Sequence, residues 1–275
     1  MLKTALLTLL LACCGASWGG VVFRSAHVVV IDDSTGEVLL EKDAGTAAPI
    51  ASLTKLMTAM VVLDAQLDPA ETVRIEPADM DWLKHTRSGV PVGATVSRGA
   101  LLELALIASD NHAAAALARS YPGGPRAFAE ATERKIRELG LDNTVLGEPT
   151  GLSPGNHASA LDMAKVLQAT AAYPLIGQIT SQRSHSALVN GQPWPVHNTN
   201  RLVGQPGWDI LASKTGFTND AGRCLTMRLR AAGRTVLVVL IGAAASSARS
   251  GDALNIRRWL AGQAPLYAAP MKKRR

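Results

Sequence analysis

Cysteine is scarce in this chain, with three in 275 residues. Cys13 and Cys14 lie in the N-terminal segment, so Cys224 is left without a partner for an internal disulfide. A disulfide scaffold and a cysteine-based zinc framework are thereby excluded. Aromatic residues make up only 4% of the sequence, so a core drawn from a hydrophobic fraction of 47% has to be mainly aliphatic. The histidines His112, His157, His185 and His197 are scattered, and no His-Glu-x-x-His pattern is present. Surface or capping roles are expected for them, and neither a metal nor another cofactor is implied. Internal repeats are missing, as is any low-complexity linker that would demand two independent domains. Acidic residues are outnumbered, giving a formal net charge of +6. That excess permits attraction to anionic polymers without choosing among them, and it is too modest to argue for nucleic acid.

What is present begins at the N-terminus. Lys3 precedes the apolar run Ala5-Leu6-Leu7-Thr8-Leu9-Leu10-Leu11-Ala12, and small residues follow through Ser17. The run is too short for a comfortable membrane span but fits the apolar centre of a secretory leader. Residues 1–20 therefore read as a signal peptide, with the small residues Cys14 and Ala16 marking the cleavage region. Lipoprotein processing at Cys13 is the rival, disfavoured by the bulk of Leu11. At the other end, residues 263–275 read as a basic tail in which Lys272, Lys273, Arg274 and Arg275 are clustered. A solvated tail is the plain reading, and peripheral contact with a membrane or a wall polymer is the alternative.

Between these ends, residues 21–262 read as one domain. The β-branched run 27–32, Gly36 and the run 37–41 predict a hairpin. Residues 52–65 predict a helix apolar nearly all round, hence central and buried. Helices are expected over 100–107, 111–119, 126–139 and 159–171, with the turn-rich segment 148–155 as a loop. Strands are expected over 208–213, 223–229 and 234–241, the last two joined through Ala232-Gly233, followed by a helix over 247–260. Strands first, helices in the middle and a meander at the end predict an α+β fold. The N-terminal hairpin joins the C-terminal strands in one central antiparallel sheet, flanked by helices, with an inserted helical subdomain at about 66–205.

Three short stretches could carry chemistry. Ser52 and Lys55 fall three residues apart on the central helix, so they share a face. Ser52 lies near the helix N-terminus, where free N–H groups favour developing negative charge. A serine hydroxyl becomes a nucleophile when a base takes its proton, and a lysine can serve once burial or a nearby cation lowers its pKa. The second stretch, Ser109-Asp110-Asn111, reads either as a helix cap or as a hydroxyl for proton transfer beside an amide for gripping a peptide. The third, Lys214-Thr215-Gly216, is expected at the end of a strand. It reads either as a charged edge tip or as a cation, a carboxylate-binding hydroxyl and a glycine admitting close backbone approach.

Taken in order, Ser-x-x-Lys, Ser-x-Asn and Lys-Thr-Gly resemble the motif set of the penicilloyl-serine transferases. Within that superfamily the chain resembles the low-molecular-mass penicillin-binding proteins that act as D-alanyl-D-alanine carboxypeptidases and endopeptidases. The likeness runs through Ile50-Ala51-Ser52-Leu53-Thr54-Lys55-Leu56-Met57-Thr58-Ala59-Met60 and Glu148-Pro149-Thr150-Gly151-Leu152-Ser153. Tyr121-Pro122-Gly123-Gly124, Tyr173-Pro174-Leu175-Ile176-Gly177-Gln178, Asn198-Thr199-Asn200-Arg201-Leu202-Val203 and Ser213-Lys214-Thr215-Gly216-Phe217-Thr218-Asn219 resemble the D,D-endopeptidase branch. The resemblance implies a β-lactamase/transpeptidase-like fold and a periplasmic hydrolase that cuts D-Ala-containing cross-links of peptidoglycan and is acylated by β-lactams.

It also implies roles. Ser52 is the expected nucleophile and Lys55 its base. Ser109 relays a proton, Asn111 holds the substrate peptide, and Lys214 supplies positive charge. Thr215, Gly216 and Thr218 contact substrate, and the backbone N–H of Phe217 completes an oxyanion hole with that of Ser52. Asp110 is expected to be structural. The charge of Lys214 and a dry site are together expected to depress the pKa of Lys55. A D-alanyl-D-alanine carboxypeptidase is the first alternative. A class A-like β-lactamase, for which Glu148-Pro149 offers only a superficial likeness, and a non-catalytic wall-binding protein are the others.

Overall fold

The computed structural model describes residues 21–86 and 88–263. The expected leader lies outside the described residues, as does the basic tail beyond Gln263. In chain order the elements begin with strands β1 (His27–Asp32), β2 (Val38–Lys42) and β3 (Ala48–Pro49), then helix α1 (Thr54–Asp64). Strands β4 (Thr72–Arg74) and β5 (Thr95–Ser97) lead into helices α2 (Arg98–Glu103), α3 (Asn111–Arg119) and α4 (Gly124–Glu138). Next come β6 (His157–Ala158), α5 (Ala160–Ala169) and α6 (Pro174–Thr180), then the hairpin β7 (Ser184–Val189) and β8 (Gln192–His197). The chain closes with β9 (Asp209–Thr218), β10 (Gly222–Ala231), β11 (Arg234–Ala243) and α7 (Ser246–Leu260).

The central sheet has the order β2-β1-β11-β10-β9 and is antiparallel throughout. Successive strand residues point to opposite faces, and here both faces are covered. Val29, Val239 and Ile241 join the core shared with the helical region, whereas Val28, Val30, Val236, Val238 and Leu240 pack on the side of α7 with Ala253 and Ile256. Two-sided burial explains why β1 and β11 read as continuous β-branched runs rather than alternations.

Helix α1 is buried from Thr54 through Val62. It threads the middle of the molecule, as its all-round apolar pattern predicts. Ser52 is not in its α-helical part. It occupies a 3₁₀ turn, Ala51–Leu53, just ahead of α1.

The region between α1 and β9 holds more strand than expected. Strands β4, β5, β7 and β8 form a separate four-stranded sheet. Its β7–β8 turn is Asn190-Gly191, both at positive φ, a strong hairpin signal. The prolines Pro193 and Pro195 in β8 are tolerated because β8 is the outer strand of that sheet.

The strand expected at 208–213 also runs further. β9 continues to Thr218, and Lys214-Thr215-Gly216 pair with Thr226, Leu225 and Cys224 of β10. The Lys-Thr-Gly triplet is therefore mid-strand, not at a strand end, and β9 is the end strand of the sheet. Among the described residues no helix is long and apolar enough to cross a membrane.

Candidate active site

Chain segments from all three motif regions converge on one cavity of about 640 Å³, lined among others by Ser52, Ser109, Asn111, Thr215, Gly216 and Phe217. The 3₁₀ turn carrying Ser52 is set by a backbone outlier, with Ala51 at φ 47°. Thr54 Oγ1 fastens the turn by donating to the Ala51 carbonyl at 2.8 Å. Non-glycine residues at positive φ store strain that the surroundings must hold.

Lys55, one turn on, is 1% exposed. Its Nζ is 2.9 Å from Ser52 Oγ, 2.7 Å from Asn111 Oδ1 and 2.7 Å from the Thr150 carbonyl oxygen. Burial pushes Lys55 down from the ordinary value of 10.5 to about 8, opposed by the carboxylates of Glu148, Asp110 and Asp81. Lys214 is also 1% exposed, and its Nζ donates to Ser109 Oγ at 2.7 Å and to the Thr215 carbonyl at 3.0 Å. Burial holds Lys214 well below the usual lysine range, and the charges of Lys55 and Arg249 push it further down. This reverses the expected direction of influence. Desolvation is what depresses Lys55, and Lys214 is not among the causes of its shift, whereas the Lys55 charge is one of the causes that lower Lys214.

The triplet Ser109-Asp110-Asn111 keeps its helix-cap reading at Asp110, and it places Ser109 and Asn111 at the cavity. Five residues before it, Leu104–Ala108, wind as a π-turn, and Ser109 follows in the left-handed region at φ 62°. Such wide turns re-aim the chain at functional sites. The Asp110 carboxylate caps α3 through the Ala113 N–H at 3.0 Å and accepts from Ser88 Oγ at 2.6 Å and the Gly89 N–H at 2.8 Å. Ser109 and Asn111, on either side, reach the two lysines, and Asn111 Nδ2 donates to Thr86 Oγ1 at 2.8 Å.

Two glycines let backbone meet backbone at the serine. A Cβ placed on Gly216 would be 2.9 Å from the Ile50 carbonyl oxygen and 3.1 Å from Ser52 N. Strand β9 therefore passes directly against the serine turn at Gly216. Thr215 Oγ1 bonds Thr199 Oγ1 at 2.6 Å, and Thr218 Oγ1 accepts from the Ala221 N–H at 3.1 Å, closing the β9–β10 turn. Thr218 does not line the cavity, unlike Thr215.

The second glycine, Gly151, comes from the loop after Leu146, whose importance the residue pattern alone does not reveal. At φ 83°, a Cβ there would fall 1.9 Å from the Ala51 carbonyl oxygen. Glu148 builds this loop. Its carboxylate accepts from the Thr150 N–H at 2.7 Å, the Gly151 N–H at 2.6 Å, the Ser153 N–H at 3.3 Å and the Thr150 hydroxyl. Those bonds aim the Thr150 carbonyl at Lys55. Buried Asn156 ties the loop down, accepting from the Gly147 N–H and donating to the Glu148 carbonyl. Glu148→Gln is therefore expected to lower the plateau rate of Ser52 acylation, because one pair of N–H groups would face an amide NH₂. It should also move the rise with pH to lower pH, because a charge that raises the Lys55 pKa is gone. Acylation rates measured between pH 5 and 10 check both effects.

The histidines stay outside the cavity, but not all are superficial. His112 is buried, its Nδ1 2.8 Å from the Val90 carbonyl oxygen, because α3 faces the core on that side. His185 Nε2 meets Glu103 at 3.1 Å, and His157 Nδ1 meets the Gly155 carbonyl oxygen at 2.9 Å. Among the described residues no three His, Cys, Asp or Glu side chains gather as a metal would require. Arg201, Arg223 and Arg249 also line the cavity; Arg201 falls in one of the quoted branch stretches, and no short motif marked Arg223 or Arg249.

A serine beside a buried lysine, a second serine–lysine pair facing it, and an edge strand crossing the serine turn on this sheet define a penicilloyl-serine transferase fold. The chain belongs to the D-alanyl-D-alanine carboxypeptidase family, whose sequence model matches residues 20–245. It is 40% identical over 238 residues to a D-alanyl-D-alanine endopeptidase of Escherichia coli, covering 86% of this chain and 77% of that one. A D-alanyl-D-alanine endopeptidase of Haemophilus influenzae is 31% identical over 231 residues, 83% of this chain and 79% of the other. Among solved structures, the Streptomyces K15 DD-transpeptidase superposes with a TM-score of 0.80 at 25% identity, over 88% of this chain and 99% of that one.

Proposed function

We propose that the chain is a periplasmic serine D,D-peptidase that cuts D-Ala-containing peptide cross-links of peptidoglycan and is acylated on Ser52 by β-lactams. The observation that carries this reading is the set of partners around Lys55 Nζ. A neutral amine has two N–H donors and one lone pair. Thr150 O and Asn111 Oδ1 can only accept, so they claim the two donors. The lone pair is then left for the third neighbour, the Ser52 hydroxyl at 2.9 Å. Ser52 Oγ attacks the D-Ala carbonyl carbon as its proton passes to Lys55 Nζ.

The new oxyanion is placed at the N–H groups of Ser52 and Phe217, where a lost donor costs about 3–4 kcal/mol of barrier. The C–N bond breaks, and the departing nitrogen takes a proton through Ser109, which Lys214 holds by hydrogen bond. Asn111 and Gly216 position the peptide, which can lie along β9 as an added strand. A carboxylate next to the departing nitrogen fits Thr215 and Arg249, whose buried Nε has no partner among the described residues. Water then hydrolyses the ester.

The endopeptidase reading, rather than carboxypeptidase, is supported by the names of the relatives at 40% identity and by the quoted branch motifs. A β-lactamase reading is weakened at Glu148, whose carboxylate is spent on loop N–H groups, and the cavity lining contains no Asp or Glu. The acyl-enzyme should therefore be long-lived. Intact mass spectrometry after benzylpenicillin is expected to show one added ligand, mapped to the peptide holding Ser52. An unmodified mass in folded protein overturns the proposal. With purified cross-linked muropeptides, release of monomers is expected, and release of terminal D-Ala alone would favour the carboxypeptidase.

A further inference from the structure

The cavity carries more positive charge than the acyl-transfer chemistry uses. Arg201, Arg223 and Arg249 all line it, and none of its lining residues is acidic. Arg249, in the first turn of α7, donates from Nη1 to the Cys224 carbonyl at 3.1 Å. Its pKa is lowered by burial and further by the charge of Arg223. The two guanidinium groups thus repel each other in a partly desolvated space. No carboxylate among the described residues forms an ion pair with either. Like charges kept together without an acid need a ligand to neutralise them.

Arg223 is held in place by an aromatic ring. It stands directly across the β9–β10 ladder from Phe217, and its guanidinium carbon lies 3.4 Å from the centre of the Phe217 ring. Phe217 is 46% exposed, a large apolar side chain left at the cavity wall. Stacking occupies the face of the guanidinium and fixes its plane, and the N–H edges stay free for a planar anion. This is a built cationic edge, two residues along the β9–β10 ladder from Thr215 and directly opposite Phe217, whose N–H is proposed for the oxyanion hole.

The leaving groups of the two candidate reactions differ in charge. A departing D-Ala carries one carboxylate, which Thr215 and Arg249 accommodate. A departing peptide strand carries at least one more. We propose that Arg223, stacked on Phe217, forms a second carboxylate subsite that holds a remote carboxylate of the leaving strand and so selects cross-linked peptide over terminal D-Ala. This rests on the endopeptidase reading above and names the residue that would enforce it.

The test compares wild type with Arg223→Gln on three substrates: a purified cross-linked muropeptide dimer, a monomeric stem pentapeptide ending in D-Ala-D-Ala, and benzylpenicillin. Loss of one charge-assisted hydrogen-bond pair should lower kcat/KM for the dimer by about 10- to 100-fold, chiefly through KM. Pentapeptide hydrolysis and penicillin acylation should stay within about twofold, and Arg223→Lys should recover only part of the dimer activity because it lacks the planar fork. Equal loss on all three substrates would make Arg223 a structural support of β9 and overturn the subsite, as would no loss on the dimer. A wild-type protein that releases D-Ala but never separates dimers would instead overturn the endopeptidase reading itself, and the subsite with it.

Discussion

Replacing Lys55 by methionine is expected to slow Ser52 acylation by about 10³- to 10⁴-fold, the upper part of what a positioned general base contributes. The proposed base has no substitute within reach, since the other deeply buried lysine of the site, Lys214, is bonded to Ser109 rather than to Ser52. Methionine fits the space of the lysine stem in a helix buried on every side. It also removes an amine that burial has already pushed to about 8. Against that gain, Thr150 O and Asn111 Oδ1 each lose a donor, a penalty of about 1–3 kcal/mol per buried group. The two effects oppose each other, so the melting temperature should move by only a few degrees.

The pH profile separates chemistry from folding. In the wild type, Lys55 below about pH 8 carries a proton and cannot accept another, so acylation should fall about tenfold per pH unit below that point and level off above it. The methionine variant should lose this limb. A fluorescent penicillin followed by gel or stopped flow reads both quantities. A variant within tenfold of wild type would remove Lys55 from the role of base.

How much of this was legible beforehand depends on the range of the interactions. The sheet of β1, β2 and the three C-terminal strands was readable because β-branched runs and the Ala232-Gly233 turn are local signals. So was the burial of α1, whose apolar residues go all round. The serine and lysine motifs were readable as a set, since their order along the chain carries the information. The second sheet was not read. Strands β4 and β5 have three residues each, too few for periodicity, and the prolines in β8 argued against a strand that edge placement permits. The Asn190-Gly191 turn was the one available signal. The length of β9 was underestimated because the Lys-Thr-Gly triplet was expected at a strand end, although the missing Cβ of Gly216 is what lets the strand continue past Ile50. Of the two sources expected for the Lys55 shift, the dry site is found and the Lys214 charge is not, for a related reason. The sequence shows two lysines but neither how deeply each is buried nor which one's charge bears on the other.

The glycine after Thr150 was the hardest to weigh, and it yields the other large effect. Gly151→Ala places a methyl group where the Ala51 carbonyl stands, with 1.9 Å to its oxygen, 2.3 Å to its carbon and 2.9 Å to Ser52 N. All three are backbone atoms of the strained serine turn, so no side chain can rotate aside. The loop or the turn must shift by more than about 1 Å to restore van der Waals separation. A shift of the loop carries the Thr150 carbonyl away from Lys55 and frees an N–H of the amine to point at Ser52. A shift of the turn moves Ser52 away from the Phe217 N–H. Either movement spoils a near-attack geometry, for which a displacement of about 1 Å costs about 10²-fold in rate. Alanine at φ 83° adds about 1–2 kcal/mol of backbone strain, and overpacking adds about 1–3 kcal/mol. For a domain of this size that corresponds to a fall in melting temperature of about 5–15 °C. Acylation should therefore drop at least about 100-fold at 20 °C, where the variant remains folded by circular dichroism. A folded Gly151→Ala protein that takes up penicillin at the wild-type rate would show that the contact between this loop and the serine turn does not set the position of the nucleophile.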